Sequence, residues 1–389
     1  MTDRRPFCVC CLLMFGLALP AFSLPSSACG QTKPQQSPPA QTDAAQTKPA
    51  QTVSPQTDLR KSSPQRIQLI AQTLSDEHPL VIAHRGASGY LPEHTTEAAA
   101  FAHALGADYI EQDVVMSKDG VAVVLHDVTL DDVTNVADVF PDRQRDGHYF
   151  VFDFTLAELR RLNVTERSHN AGRFPGGQGR FLIRTLEEHL QLIAGLNASR
   201  GRKAGVYVEV KQPALQRTHG LDASRAVIDL LTRYGYTSPT DRAFVQCFDA
   251  DEVLRIRTEL KCQLKLIQLF GETPSHDTLV ATAKVADGIG IPIAAVLPDV
   301  TNGEPRFTEV VRTAHDHTLL VHVWTLRNDR LPQWAPSTEE LIGWLVRDGR
   351  VDGIFTDFPD TVLDWREQAR HEGPLRGPFH LLKGGRDKP

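Results

Sequence analysis

Basic excess is missing from this chain. Its 389 residues hold 42 Lys and Arg against 48 Asp and Glu, a formal charge of −6. A phosphate backbone demands the opposite sign, so no nucleic-acid partner is expected. Cysteine is scarce where it would count. Of the six cysteines, Cys8, Cys10 and Cys11 fall inside an apolar N-terminal stretch and Cys29 follows it. Only Cys247 and Cys262 belong to the body of the chain. Both adjoin apolar runs and read as buried thiols ahead of a disulfide. Long apolar runs are also lacking beyond the N-terminus, so no later segment reads as a membrane span. The sequence carries no signal for oligomeric state.

Residues 1–28 read as an export signal. Arg4 and Arg5 precede an apolar stretch from Val9 to Phe22 that is too short to span a bilayer, and Ser26-Ser27-Ala28 offers small residues for cleavage. Cys29 then stands where a lipoprotein is acylated, although Ser26 occupies the place of the usual Leu, Val or Ile. The expectation is an exported, periplasmic protein, with a lipid anchor at Cys29 as a further possibility. One acyl chain alone binds membranes only marginally. Residues 29–65 are Gln, Thr, Pro, Ala and Ser with a worn Gln-Thr-Lys-Pro-Ala-Gln-Thr repeat. Such a segment cannot bury a core and reads as a disordered linker. At ~3.1 Å per residue in polyproline II it would reach on the order of 100 Å.

From residue 66 to 370 the pattern becomes strand-helix alternation, followed by a tail at 371–389. Strands are expected at 80–84, 109–115, 121–126, 206–211, 243–248, 264–269, 288–292, 319–324 and 353–356. Helices are expected at 95–105, 185–196, 223–234, 250–259, 276–284, 305–316 and 338–347. Alternation of this kind implies parallel strands with right-handed crossovers, and eight units imply a (β/α)8 barrel. Nine strands are one too many. Ser117-Lys118-Asp119-Gly120 is too short for a parallel crossover, so strand 121–126 must return as a hairpin. Pairing Met116 with Val121 would set Glu111 opposite His126. Residues 128–181 form an insertion after this hairpin, a lid or small subdomain. The fold class is therefore α/β, a distorted TIM barrel with a small insertion after the His126 hairpin.

Two strands carry ionised groups where apolar residues belong, Tyr109-Ile-Glu-Gln-Asp-Val-Val115 and Gly205-Val-Tyr-Val-Glu-Val-Lys211. Side chains two apart share a face, so Glu111 pairs with Asp113 and Glu209 with Lys211. Buried carboxylates need a positive partner. Three carboxylates without cysteine are hard oxygen donors for one divalent cation, Ca2+ first and Mg2+ second, ahead of Zn2+. Arg85 and Lys211 add cations that can hold an anion beside it. His84 and His126 supply a pair able to exchange protons near neutral pH. Phosphodiester cleavage needs these parts together: a nucleophile that loses a proton, a leaving alkoxide that gains one, and charge held on the non-bridging oxygens.

The ordered set His84-Arg85-Gly86, Glu111-x-Asp113, His126-Asp127, Glu209-x-Lys211 and Trp324-Thr325 resembles the glycerophosphodiester phosphodiesterase family. The runs Ala83–Thr95, Gln246–Ala250 and Phe355–Pro359 resemble its exported bacterial branch most. The resemblance implies metal ligands at Glu111, Asp113 and Glu209 and catalytic roles for His84 and His126. It also implies phosphate binding by Arg85 and Lys211, packing of Phe248 and Trp324 on the glycerol carbons, and a polar contact from Gln246. The implied substrates are deacylated phospholipids, cleaved to sn-glycerol 3-phosphate and an alcohol. His94 stands where much of the family has Asn and is read as supporting the site or starting a helix. Arg327 stands where many relatives have Asn. Asp357 is read as capping or orienting the final loop. Two other functions remain. A phospholipase-type enzyme acting on intact lipid would want an apolar rim, which an Asp- and Gly-rich insertion does not offer. A glycerophosphodiester-binding lipoprotein would have no use for two histidines beside a metal.

Overall fold

The computed structural model describes residues 78–372, apart from 168–172 and 175–178. The expected export signal, Cys29, the linker, the domain's first residues and positions 373–389 of the tail lie outside the described residues, as does part of the insertion's glycine-rich run.

Eight strands run parallel. They are β1 (Leu80–Ala83), β2 (Tyr109–Met116), β4 (Gly205–Val210), β5 (Ala243–Cys247), β6 (Lys265–Leu269), β7 (Gly288–Pro292), β10 (Leu320–Leu326) and β11 (Gly353–Thr356). Each pairs with the next in that order, and β11 pairs with β1, so the sheet closes into a barrel. Helices α1 (Thr96–Leu105), α2 (Leu186–Arg200), α3 (Ala223–Arg233), α4 (Ala250–Thr258), α5 (His276–Thr282), α6 (Val310–Asp316), α7 (Thr338–Gly343) and α8 (Pro359–Glu372) lie between and after the strands. Most start on a side-chain oxygen that caps a free backbone N–H: Thr95, Thr185, Asp222, Asp249, Ser275 and Ser337 each accept from the first turn. Thr185 and Glu188 complete a reciprocal capping box.

Strand alternation sorts the core. On β4, Val206, Val208 and Val210 join the apolar layer under the helices, while Tyr207 turns into the barrel with Tyr109, Phe244, Ile267 and Phe355. Glu111 and Asp113 share the face of Tyr109, and Glu209 that of Tyr207, so acidic groups follow the aromatic layer toward the strand ends. Gly86 fixes the exit of β1. Its φ is +82°, and a Cβ there would sit 2.8 Å from the main chain of Ala98 in α1, so the chain bearing His84 and Arg85 needs glycine at this point.

The hairpin after β2 forms, with its register one residue away from expectation. β3 (Ala122–Val124) pairs Met116 with Ala122 and Val114 with Val124. The loop is closed by Ser117 and Val121, through Ser117 N–H to the Val121 carbonyl at 2.9 Å. Only Lys118, Asp119 and Gly120 lie within it, and Gly120 takes the left-handed position (φ +77°) of a three-residue hairpin. Strand pairing ends before His126, which follows as a loop residue. The insertion builds its own core: Val128, Leu130, Val136, Tyr149, Phe152, Phe154, Leu159 and Phe181 pack on Val115, Val123 and Leu125 of the hairpin.

A second hairpin was not expected. β8 (Asp299–Thr301) and β9 (Glu304–Arg306) pair antiparallel where the pattern suggested a helix from 305. Asn302 and Gly303 take φ +54° and +82°, the two left-handed positions that an Asn-Gly turn provides. Among the described residues, no helix is long and apolar enough to cross a membrane.

One buried group makes stability pH-dependent. His322 is fully buried, and its ring Nδ1 meets the Tyr207 hydroxyl at 2.8 Å. Burial pushes its pKa down to about 4. Well above pH 6.5 neither folded nor unfolded chain protonates this ring. Below that, the unfolded chain takes the proton first, and stability falls until about pH 4. Its share is up to ~1.4 kcal/mol per pH unit. Urea titrations at pH 7 and pH 5 should show that slope, and His322→Gln should reduce it; an unchanged slope would refute the assignment.

Candidate active site

Three adjacent positions of the barrel meet at one point. Asp113 pairs in register with Glu209, and Glu209 with Gln246. Parallel strands bring such partners to ~4.8 Å. Glu111, Asp113 and Glu209 are buried, each offering a carboxylate oxygen within 4.8 Å of the others. Burial, then the charges of Asp113 and Glu209, push the Glu111 carboxyl well above its usual range. Burial also raises Glu209, to about 7, against the pull of Lys211. Burial resists ionisation of Asp113 too, but Lys211 and His94 outweigh it and hold that carboxyl well below its usual range.

The surrounding donors leave room for a cation. The Arg85 main-chain N–H donates to Glu111 Oε2 at 2.9 Å, and Gln246 Nε2 to Glu111 Oε1 at 2.8 Å. His94 Nε2 meets Asp113 Oδ2 at 2.8 Å, so His94 supports this cluster from behind. Lys211 Nζ lies 2.7 Å from Glu209 Oε1. Asp113 Oδ1 is buried and has no hydrogen-bond partner. An orphaned carboxylate oxygen beside two carboxyl groups that resist ionisation fits a divalent cation held by oxygen donors. This buried acidic triad could bind a metal.

The two histidines are held alike. His84 Nδ1 meets Asp357 Oδ1 at 2.6 Å, and His126 Nδ1 meets Asp127 Oδ1 at 2.6 Å. An ionised carboxylate only accepts, so Nδ1 carries the proton and Nε2 is left for other partners. His84 Nε2 lies 3.9 Å from Glu111 Oε2. Burial, then Arg85, lowers the His84 pKa against the opposing pull of Asp357. Burial, then Lys211 and Arg85, lowers His126 to about 4. Asp357 thus does more than orient the final loop.

A cavity of about 310 Å³ opens beside these groups, lined among others by His84, Arg85, Glu93, His126, Arg167 and Arg327. The three carboxylates are outside its lining. Arg85 belongs to both places: its side chain lines the cavity, and its Nε is 3.9 Å from Asp113 Oδ2. Phe248 is 46% exposed. Its ring stands edge-on to Trp324 at 6.0 Å between centroids, with Lys211 Nζ 5.9 Å from the Phe248 ring. Gln246 is buried, and its Oε1 has no hydrogen-bond partner. Most of the ten residues singled out in the sequence lie at or just beyond strand ends, while Glu111 and Asp113 lie inside β2, the third and fifth of its eight residues.

The pattern of the Glycerophosphoryl diester phosphodiesterase family matches residues 84–361. The chain belongs to this family. A glycerophosphodiester phosphodiesterase of Haemophilus influenzae is 37% identical, the match spanning 76% of this chain and 92% of that protein. One of Treponema pallidum is 35% identical, spanning 72% and 90%. A crystal structure of a putative glycerophosphoryl diester phosphodiesterase from Silicibacter pomeroyi superposes with a TM-score of 0.59 at 26% identity, covering 77% of this chain and 98% of that one. A phosphodiesterase from Oleispira antarctica, solved with its product sn-glycerol-3-phosphate, shares the fold at a TM-score of 0.54 and 20% identity, covering 75% and 97%.

Beyond the ten residues above, the family member's site also includes Asp357, Glu93, Arg167 and Arg327. Glu93 accepts from Arg85 Nη1 at 2.9 Å, and Arg327 Nη1 lies 3.2 Å from Asp357 Oδ2. Asp357 had a signal, a carboxylate just past the last strand. Arg167 had none, because the insertion brings it from a distance in sequence. If the triad takes a cation, Ca2+ or Mg2+ should raise the melting temperature and a chelator reverse the rise. Saturation at 100 times Kd corresponds to ~2.7 kcal/mol. Asp113→Asn should abolish the shift; a shift that persists in that variant would place the cation elsewhere.

Proposed function

We propose that this enzyme hydrolyses glycerophosphodiesters, the deacylated phospholipids, to sn-glycerol 3-phosphate and an alcohol. The observation that carries the reading is the pair of imidazoles, each tied at Nδ1 by a carboxylate, on a cavity that Arg85 shares with the acidic triad. The relatives named above carry the same activity in their names.

In this reading Glu111, Asp113 and Glu209 hold one divalent cation, Ca2+ first and Mg2+ second, both ahead of Zn2+ because the donors are all carboxylate oxygen. Such a cation supplies Lewis-acid stabilisation of charge on the phosphate oxygens. Arg85 and Lys211 bind the phosphate group. Phe248 and Trp324 present apolar faces to the glycerol carbons, and Gln246 offers Oε1 as a polar contact. One imidazole Nε2 takes the proton of the glycerol 2-hydroxyl as that oxygen bonds to phosphorus. The other histidine, protonated at both nitrogens when substrate is bound, gives its Nε2 proton to the departing alcohol oxygen, leaving a cyclic phosphate. Water then opens the ring with the two roles exchanged, which suits a symmetric histidine pair.

The same proposal places the enzyme in the exported bacterial branch. Its support is residues 1–28, which have the build of an export signal, and the following linker. It sets the catalytic domain at 66–370, the insertion at 128–181, the destination as periplasmic, and Cys29 as a site for lipid attachment.

Two tests bear on the chemistry. His84→Ala and His126→Ala should each lower release of sn-glycerol 3-phosphate from glycerophosphocholine by roughly 10²-fold or more, with the cation-induced melting shift intact. Turnover near wild type in either variant would defeat the assignment. A substrate lacking the 2-hydroxyl should resist cleavage, and normal hydrolysis of it would eliminate the cyclic route.

A further inference from the structure

Among the described residues, the insertion lines the active-site cavity with Glu166 and Arg167, and the Arg167 guanidinium makes its ionic contacts there. Arg167 Nε and Nη2 donate to the two oxygens of Glu93, each at 2.8 Å. The same Nη2 donates to Asp127 Oδ2 at 2.6 Å. Glu93 in turn accepts from Arg85, and Asp127 accepts from His126. An unbroken chain therefore runs Arg85–Glu93–Arg167–Asp127–His126.

We propose that Arg167 is a positioning residue which aims the His126 imidazole and the Arg85 guanidinium from the insertion. The proposal rests on the catalytic reading of His126 given above. Asp127 is about 30% exposed on its side chain, and a half-exposed carboxylate turns freely unless both oxygens are held. Here one oxygen holds His126 and the other is held by Arg167, so rotation would break a charge-assisted bond. A planar guanidinium can face two carboxylates at once, which a single ammonium does poorly. The barrel repeats the device for the other histidine. Arg327 sits on Asp357 Oδ2 while Asp357 Oδ1 holds His84. Without Arg167, Asp127 is released toward water and Glu93 keeps Arg85 alone. Buried charges that lose a partner rearrange.

The test is steady-state kinetics on glycerophosphocholine at saturating Ca2+ or Mg2+. Arg167→Ala should lower kcat by roughly a hundredfold, the scale of a misplaced catalytic group, and Arg167→Lys should recover only part of it. In an Asp127→Asn background, Arg167→Ala should cost at least tenfold less in kcat than it does in wild type, because its arm to His126 acts through Asp127 and only the Glu93–Arg85 arm remains to be lost. A residue that merely pins the insertion would cost the same in both backgrounds, and that result overturns the proposal. So does an Arg167→Ala enzyme within twofold of wild-type kcat. Arg167→Gln, which keeps bulk and a donor, serves if the alanine variant does not fold. Full activity in His126→Ala would instead overturn the catalytic reading on which this rests.

Discussion

Three carboxyl groups buried with oxygens within 4.8 Å of one another are the constraint around which this barrel is arranged. Left alone, Glu111, Asp113 and Glu209 repel, and burial penalises each charge. The parallel register between β2 and β4 brings Asp113 and Glu209 side by side, and the alternation of both strands keeps them facing inward. Every nearby donor answers that concentration of negative charge. Lys211, His94, the Arg85 main chain and Gln246 all lean on it. What they leave over is a demand for one more positive centre, which is what a phosphate-handling site with a divalent cation supplies.

The histidines belong to a second layer of the same logic. Each is fixed at Nδ1 by a carboxylate, and each carboxylate is fixed by an arginine. The charges therefore alternate outward from the reacting space. One of these sequences is built from the ends of β1, β10 and β11. The other joins the loop after the hairpin to the insertion. An insertion with its own apolar core, seated on the hairpin that carries His126, is thus structurally continuous with the catalytic face.

Much of this was legible from residues alone, because period-two alternation and strand ends translate directly into faces and positions. Glu111, Asp113, Glu209 and Lys211 stood out as charges inside short apolar, β-branched-rich runs, which read as strands. Four residues at Ser117–Gly120 sufficed to reveal a hairpin and reduce nine strands to eight. The register escaped by one place because the turn needs Gly120 in a left-handed conformation and draws Ser117 into the closing pair. The hairpin at 299–306 escaped although Asn302-Gly303 announces such a turn. Asp357 was visible but undervalued: a barrel closes its last strand onto its first, but the sequence does not show that this carboxylate turns to meet His84. Arg167 could not be found this way. It acts through contacts made by a long loop, and loops carry no periodicity to read.

The two body thiols have a consequence of their own. Cys247 ends β5, its Sγ directed to the Val210 carbonyl at 3.4 Å, and burial pushes its pKa up. Cys262 is also buried, and no disulfide joins the two. A sulfur held as the neutral thiol and shut away from solvent is a poor nucleophile. Alkylating reagents, peroxide and disulfide-forming catalysts would find almost nothing to attack on the folded domain. Its fold is in that respect indifferent to whether its surroundings are reducing or oxidising.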